Sequence, residues 1–178
     1  MNRALPLAIS MVLTASVSEA RSLPPSAFPE LPTGIVAELE HRGCRIPQLH
    51  WRKRNNVIQG DFTRLAQMDW AVVCKTRGET TLLVFAQGAA QPMEAMKINN
   101  GLYADLSITS VSRETMVDHL TQIQRKPAPL PQLDHDGISY SLGPRNPDSR
   151  NFSDNAAEGG LLYFDGNKWT CLETMIAN

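Results

Sequence analysis

The chain has 178 residues, with 17 Lys and Arg against 18 Asp and Glu, so its formal net charge is −1 at pH 7. This balance, together with the lack of a long basic run, argues against nucleic acid or an anionic membrane surface as a partner. The length is enough for one domain with a normal hydrophobic core and short for two domains.

Residues 1–20 are predicted to be a signal peptide. Arg3 supplies the positive charge in front of an apolar stretch, residues 4–17, and the small residues Ser18 and Ala20 mark a cleavage site. An uncleaved membrane anchor would need about 20 apolar residues, and this run is shorter. The protein is therefore expected to be exported, periplasmic or secreted, without a transmembrane anchor after cleavage.

Residues 21–33 form a proline-rich segment. Proline removes a backbone donor and favours extended backbone, so this segment is predicted to be a tether in front of a single domain, residues 34–178. Thr33 is predicted to be the N-cap of a short helix that runs to Arg42, and Gly43 to adopt the left-handed conformation that ends it. The expected buried face of this helix consists of Ile35, Val36 and Leu39.

Most of the strand-like sequence lies near the middle of the chain. Two apolar runs, residues 70–74 and 81–85, are separated by a polar tetrad that contains Gly78, which predicts a β-hairpin. Residues 57–62 are predicted to be a third strand. Asp69 is interpreted as a turn carboxylate in front of a core aromatic residue.

The second half of the chain also mixes strands and helices. Residues 106–111 and 138–142 predict strands, and Ser112 can cap a helix that runs to Gln124. The turn Asp165-Gly166-Asn167 predicts a terminal β-hairpin. The pattern indicates an α+β fold, an antiparallel sheet made of a meander and a C-terminal hairpin with two helices packed on it. The buried stripe of the second helix is expected to be Met116, Val117, Leu120 and Ile123.

Export would allow the three cysteines, Cys44, Cys74 and Cys171, to form a disulfide. Three thiols permit three single pairings. We favour Cys44 with Cys74, which ties the segment after the first helix to the central hairpin and is worth roughly 3 to 4 kcal/mol in the chain-entropy model. Cys171 would then be a free thiol, but it can equally be buried in a terminal strand or be the partner of either other cysteine.

The densest polar cluster is Asp134-His135-Asp136. Two carboxylates at alternate positions in front of Gly137 resemble part of a calcium loop, because oxygen ligands and a sharp glycine turn suit a hard cation. Gln132 and Gly143 stand where an EF-hand needs its first acid and its bidentate Glu, which excludes that motif. His135 can join a transition-metal or acid–base site if another ligand comes from elsewhere. The alternative is an exposed turn that starts a strand.

Several short motifs follow one another along the chain: Gly43-Cys44-Arg45-Ile46-Pro47-Gln48, residues 56–62, 69–74 and 134–138, and Gly166-Asn167-Lys168-Trp169. Together they resemble a family of bacterial exported proteins to which no activity is assigned. The resemblance covers most of the chain after the signal peptide. It implies a bacterial source and supports the pairing of Cys44 with Cys74, but it implies no activity.

The motif search favours a protein that is not an enzyme. The sequence holds no nucleophile elbow, phosphate-binding glycine loop, CxxC or HExxH motif. The first hypothesis is a non-catalytic binding or interaction domain of the cell envelope that needs no cofactor and binds a protein, an envelope component or a small ligand. The alternative is a hydrolase or metal-dependent enzyme that uses Asp134, His135 and Asp136. Residues 144–160 are a long polar connection, and such loops are either mobile or functional.

Overall fold

The computed structural model describes residues 22–48, 54–99, 106–123, 133–143 and 158–176. The predicted signal peptide, residues 1–20, lies outside the described residues, and so does most of the polar connection, up to residue 157. No helix within the described ranges is long and apolar enough to span a membrane.

Two α-helices and ten strands lie within these ranges. The helices are α1 (Thr33–His41) and α2 (Arg113–Ile123). The strands are β1 (Ser22–Leu23), β2 (Ile46–Pro47), β3 (Val57–Gly60), β4 (Asp69–Lys75), β5 (Glu79–Phe85), β6 (Met93–Asn99), β7 (Leu106–Val111), β8 (Gly137–Leu142), β9 (Glu158–Phe164) and β10 (Trp169–Ile176).

The longer strands form two four-stranded antiparallel sheets. Sheet I has the order β3-β4-β5-β6, and sheet II has the order β10-β9-β8-β7. β1 and β2 pair as a short separate ribbon. The predicted α+β fold of antiparallel strands with two helices is confirmed. The sequence suggested one sheet, whereas the structure divides the strands between two.

The two sheets pack face to face, and a helix covers the outer face of each, which gives four layers. α1 packs on sheet I through Ile35 and Leu39, and α2 packs on sheet II through Met116 and Leu120. The core between the sheets consists of Phe62, Ala71, Val73, Leu82, Val84, Leu106, Ile108, Ile138, Leu142 and Leu162. β4 and β5 are therefore buried on both faces.

The proline-rich segment differs from the predicted tether. From Ser22 onward it packs against sheet I, with Phe28 and Leu31 buried in the core under α1. Within it, Pro25–Ala27 form a short 3-10 helix instead of an extended linker. The physical reason is the pair of large apolar side chains between the prolines, whose burial stabilises a docked conformation.

Both ends of α1 can be compared with the prediction. The helix begins at Thr33 with Pro32 as its N-cap, so the prediction that Thr33 caps the helix is wrong. Gly43 has a φ of +70° and donates its backbone N–H to the carbonyl oxygen of Glu40 at 2.9 Å. The predicted left-handed end is confirmed.

Cys44 and Cys74 form a disulfide with their Cα atoms 5.0 Å apart, which confirms the favoured pairing. Beside it, Arg45 and Lys75 exchange two backbone hydrogen bonds, of 2.8 and 2.9 Å. The exit of α1 is therefore joined covalently and by hydrogen bonds to β4. Cys171 lies exposed on β10 outside this disulfide, and its Sγ atom lies 3.8 Å from the Tyr140 hydroxyl.

Both predicted hairpins are confirmed. In the β4–β5 turn, Thr76 donates its backbone N–H to the carbonyl oxygen of Glu79 at 2.9 Å. In the β9–β10 turn, the Asp165 carboxylate accepts the N–H groups of Asn167 and Lys168 at 3.0 and 2.9 Å. The β9–β10 turn lies at the end of the sandwich that holds the candidate site, and the β4–β5 turn lies at the other end.

Candidate functional site

A cleft of about 1030 Å³ opens at the end of the sandwich where β4 begins and β9 ends. It brings together the β3–β4 loop, the β5–β6 connection, the segment before β8 and the β9–β10 turn. The residues that line it are Thr63, Arg64, Gln67, Ala86, Gln87, Met93, Asp134, His135, Tyr163, Phe164, Asp165, Gly166, Thr170 and Leu172. Two of the three predicted site residues, Asp134 and His135, are therefore in its wall.

His135 is buried in this wall, with 4% of its surface exposed. Its Nδ1 atom lies 3.0 Å from the carbonyl oxygen of Asp136, and its Nε2 atom lies 2.9 Å from that of Phe164. The imidazole stacks on the Tyr163 ring, with 4.3 Å between the ring centroids. Because both nitrogens face backbone carbonyls, neither is free to bind a metal or to take a proton from a substrate.

Asp134 lies at the mouth of the cleft and is tied to Tyr163 in two ways. The Tyr163 hydroxyl donates to Oδ1 of Asp134 at 2.8 Å, and the Asp134 backbone N–H donates to the hydroxyl oxygen at 3.1 Å. Burial, reinforced by the Asp134 carboxylate, raises the pKa of Tyr163 above its ordinary value. Tyr163 therefore serves as a neutral hydrogen-bond donor.

Asp136, the third predicted site residue, does not line the cleft. Its Oδ1 accepts the backbone N–H of Arg113 at the start of α2, at 3.3 Å, and its Oδ2 lies 3.5 Å from the backbone nitrogen of Asp61. The carboxylate thus links α2 with the β3–β4 loop. Across the described ranges, no group of three or more His, Cys, Asp or Glu side chains is placed to hold a metal ion.

No family model, curated protein or solved structure matches the chain.

Asp69 organises the opposite wall of the cleft. Its side chain is fully buried, and its two carboxylate oxygens accept four hydrogen bonds of 2.7 to 2.9 Å. The donors are the backbone N–H and hydroxyl of Thr63, the side-chain amide of Gln67 and the backbone N–H of Gln87. The interpretation of Asp69 as a turn carboxylate agrees with this geometry, but the sequence alone did not show that it joins two loops.

The β3–β4 loop holds further internal bonds. Asp61 accepts the backbone N–H of Ala66 at 2.7 Å, and Ala66 adopts a left-handed φ of +57°. Gln67 donates its backbone N–H to the carbonyl oxygen of Arg64 at 3.2 Å. Together with the bonds to Asp69, these contacts hold the loop in one conformation.

This rigid loop presents Leu65 and Met68 to solvent. They are the only large hydrophobic side chains in the described part of the chain that are exposed, at 61% and 58%. The exposed Arg64 side chain precedes them and reaches the cleft. We call Arg64, Leu65 and Met68 the rim. Sequence reasoning missed the rim because residues 63–68 read only as a connection between strands; the available signal was two large apolar residues in an otherwise polar loop.

The polar side chains of the cleft wall differ in how far they are already hydrogen-bonded. The Thr63 hydroxyl donates to the buried Asp69 and accepts from Gln67 at 2.6 Å, so it is already engaged on both sides. Arg64, Gln87, Asp134 and Asp165 are the exposed polar side chains in the wall, and the Asp165 carboxylate is already bonded within its own turn. Such groups orient a polar partner, whereas a covalent mechanism needs an activated nucleophile next to a base.

Proposed function

We propose that the protein is an exported, non-catalytic binding domain that recognises a protein partner through the rim and the adjoining cleft. One observation carries the proposal: a fully buried carboxylate, Asp69, fixes a loop that displays two large hydrophobic side chains in water. The Cys44–Cys74 bond supports the exported location, since disulfides persist in oxidising compartments. A place in the cell envelope agrees with the resemblance to bacterial exported proteins.

The structural role of the loop does not account for the rim. Phe62 is the loop residue that fills the core between the sheets, whereas Leu65 and Met68 contribute no buried surface of that kind. A loop held by several hydrogen bonds has already lost its conformational entropy, so a partner that binds it does not bear that cost. Rigid display of apolar side chains therefore favours recognition.

The composition of the rim favours a protein as partner. Met and Arg are enriched in the cores of protein interfaces, and Met adapts its shape to the surface opposite. Leu65 and Met68 supply apolar contact, and Arg64 supplies a bidentate donor for a carboxylate or a carbonyl oxygen. The polar cleft beside them can accept a side chain or a turn of the partner.

The hydrogen bonds of His135 weigh against the alternative, a hydrolase or metal-dependent enzyme at Asp134, His135 and Asp136. Both imidazole nitrogens face backbone oxygens, and the Asp136 carboxylate is directed to Arg113 and Asp61. An enzyme at this position would first have to break these contacts. We therefore do not propose a hydrolase or a metal-dependent enzyme at these three residues.

Site-specific photo-crosslinking in cells of the source organism tests the proposal. A photoreactive amino acid at position 65 or 68 is expected to give the same discrete adduct, and one at Arg77, in the β4–β5 turn at the other end of the sandwich, is expected to give none. With the photoreactive amino acid at position 65 or 68, replacing another rim residue, as in Arg64→Ser, should reduce the amount of adduct at least severalfold. Equal adducts from all three positions, or monomer alone, would count against the proposal.

A further inference from the structure

The contacts of His135 require more donors than a neutral imidazole has. Nδ1 lies 3.0 Å from the carbonyl oxygen of Asp136, and Nε2 lies 2.9 Å from that of Phe164. Both partners are acceptors only. A neutral ring has one N–H, so one of the two contacts would set a nitrogen lone pair against a carbonyl oxygen. A protonated ring donates to both.

We propose that His135 is a proton-dependent latch on the cleft. In the latched state the ring carries both N–H groups and joins the segment 133–136 to the end of β9. Loss of one proton sets a nitrogen lone pair against one of the two carbonyl oxygens, so the ring has to move from this position and the Asp134 side of the cleft becomes looser. Acid therefore favours the latched cleft, and a rise in pH releases it.

Two groups contact the ring from outside the segment's backbone carbonyls. The Asp134 carboxylate has its Oδ1 atom 3.7 Å from Nε2, which is close enough for a direct electrostatic attraction. The Tyr163 ring stacks on one face at an interplanar angle of 12°, and an aromatic face attracts a cationic group. Tyr163 itself stays neutral, because burial raises its pKa.

The other charged groups around the latch come from three neighbouring elements. Arg113 of α2 donates its Nε–H to the carbonyl oxygen of Leu133 at 2.8 Å. Asp136 and Asp61 are joined by backbone and carboxylate contacts on the side of the β3–β4 loop. Arg64 and Asp165 line the same cleft. These groups carry both signs, and the Asp134 carboxylate lies within ion-pair distance of Nε2.

The latch is a property of the fold, but its consequence for a partner rests on the proposed function. The latch depends on a histidine, the side chain whose charge ordinarily changes between about pH 5 and 8. A partner held by the rim and the cleft would then bind more firmly in acid. This is the regulation expected of the proposed site.

Nuclear magnetic resonance of the mature chain, with labelled histidine and no partner present, tests the latch. The chain has four histidines, and the His135 ring signal is identified as the one that His135→Gln removes. As pH rises from about 5 to 8, the loss of a ring proton from His135 should coincide with a shift of the Asp136 and Phe164 carbonyl carbons. A His135 ring that holds one proton throughout, or carbonyl signals that do not follow it, would overturn the proposal.

Amide exchange gives a second readout. Asp136 donates its backbone N–H to Asp61 at 3.1 Å, and Asp165 donates to Lys168 at 3.0 Å, on the two sides of the latch. After correction for intrinsic exchange, their protection should fall by about tenfold across the titration, as expected for one hydrogen bond. His41→Gln, which changes a side chain that is 85% exposed, should retain the fall. Unchanged protection would overturn the latch without bearing on the crosslinking test of function.

Discussion

Asn56 donates its side-chain N–H to the carbonyl oxygen of Leu106 at 2.8 Å, and this bond connects sheet I with sheet II. The same amide donates to the carbonyl oxygen of Pro47 at 2.9 Å, and Oδ1 accepts the backbone N–H of Ile108 at 3.2 Å. Asn56 is fully buried, and its φ of +67° is a conformation that Asn tolerates better than most residues. Asn56 thus adopts a left-handed backbone conformation and also forms side-chain hydrogen bonds with three backbone groups.

Two substitutions of Asn56 separate the contribution of its side-chain hydrogen bonds from that of its backbone conformation. Asn56→Gly keeps the backbone conformation but leaves three buried partners unsatisfied, so the free energy of unfolding should fall by about 2 to 4 kcal/mol. Asn56→Ala should lose about 1 to 2 kcal/mol more because of its left-handed φ. Urea unfolding measures both. A glycine variant as stable as the parent would show that the side-chain bonds contribute little.

Replacement of Asp69 should loosen the rim as well as the fold. In Asp69→Asn the NH2 group replaces one carboxylate oxygen and faces either the donors of Thr63 or those of Gln67 and Gln87. At least one bond then becomes a repulsion, and the free energy of unfolding should fall by about 2 to 4 kcal/mol. Asp118→Asn, on the exposed face of α2, is the matched control and should change little.

The effect on the rim can be measured independently of stability. Backbone relaxation of Leu65 and Met68 should report faster motion in Asp69→Asn than in the parent protein at a temperature at which both are folded. The amount of crosslinked adduct should also be lower in Asp69→Asn than in the parent protein. An ordered rim in the variant would mean that the loop is held by its other contacts, such as that between Asp61 and Ala66.

The local elements were predictable because each had a local cause. Glycine at position 43 and the turn at Asp165 specify backbone conformations, and the stripe of Met116 and Leu120 specifies a helix face. The number of sheets was not predicted. The sequence does hold an indication of a second sheet, the unbroken apolar runs within β4 and β5. A run of consecutive apolar residues in a strand places apolar side chains on both faces, so both faces must be covered.

The candidate site was predictable only in part, because its residues come together through long-range contacts. The sequence singled out Asp134 and His135, and both line the cleft. It gave no indication that Phe164, 29 positions after His135, would supply the second backbone acceptor for the imidazole. Nor could it show that Asp69 would hold Gln87, since the bond depends on how two loops meet.

The Cys44–Cys74 bond should contribute strongly to stability. In the chain-entropy model, removal of a link across a separation of 30 residues costs roughly 3 to 4 kcal/mol. The variant with Cys44→Ala and Cys74→Ala should lose about that amount, while Cys171→Ser, at an exposed position, should keep the stability of the parent. Urea unfolding with and without reductant measures both. Stability that reductant leaves unchanged would contradict a structural role for the bond.

Gly159 is expected to tolerate no side chain. A Cβ atom there would lie 2.7 Å from the backbone oxygen of Tyr140, so β8 and β9 would have to move apart. Gly159→Ala should therefore lower the free energy of unfolding by about 1 to 3 kcal/mol. Gly34→Ala, at an exposed position in the first turn of α1, is the control. Its Cβ atom would meet only the Cβ atom of Ala90, at 3.9 Å, so the substitution should be neutral or slightly stabilising. Equal effects of the two substitutions would contradict the close approach of the strands.

Acid should weaken the β9–β10 turn through Asp165. The N–H groups of Lys168 and Asn167 bind its charged form and lower its pKa below the ordinary 3.8. The unfolded chain takes up the proton near 3.8, so the stabilisation is present above that pH and is lost as pH falls through the lower pKa of the folded state. The Asn167 and Lys168 amide signals should shift with the Asp165 carboxyl carbon in that range.

Asp165→Asn should remove this acid-dependent shift, whereas Asp118→Asn should leave it in place. An Asp165 carboxyl that titrates at or above 3.8 in the folded protein would contradict the hydrogen bonds of the turn. Because Phe164 precedes this turn and accepts the Nε2 contact of His135, the same titration also tests whether the turn and the latch are coupled. The two effects are expected to follow opposite changes of pH, because protonation of Asp165 weakens the turn as pH falls, whereas the latch is released as pH rises.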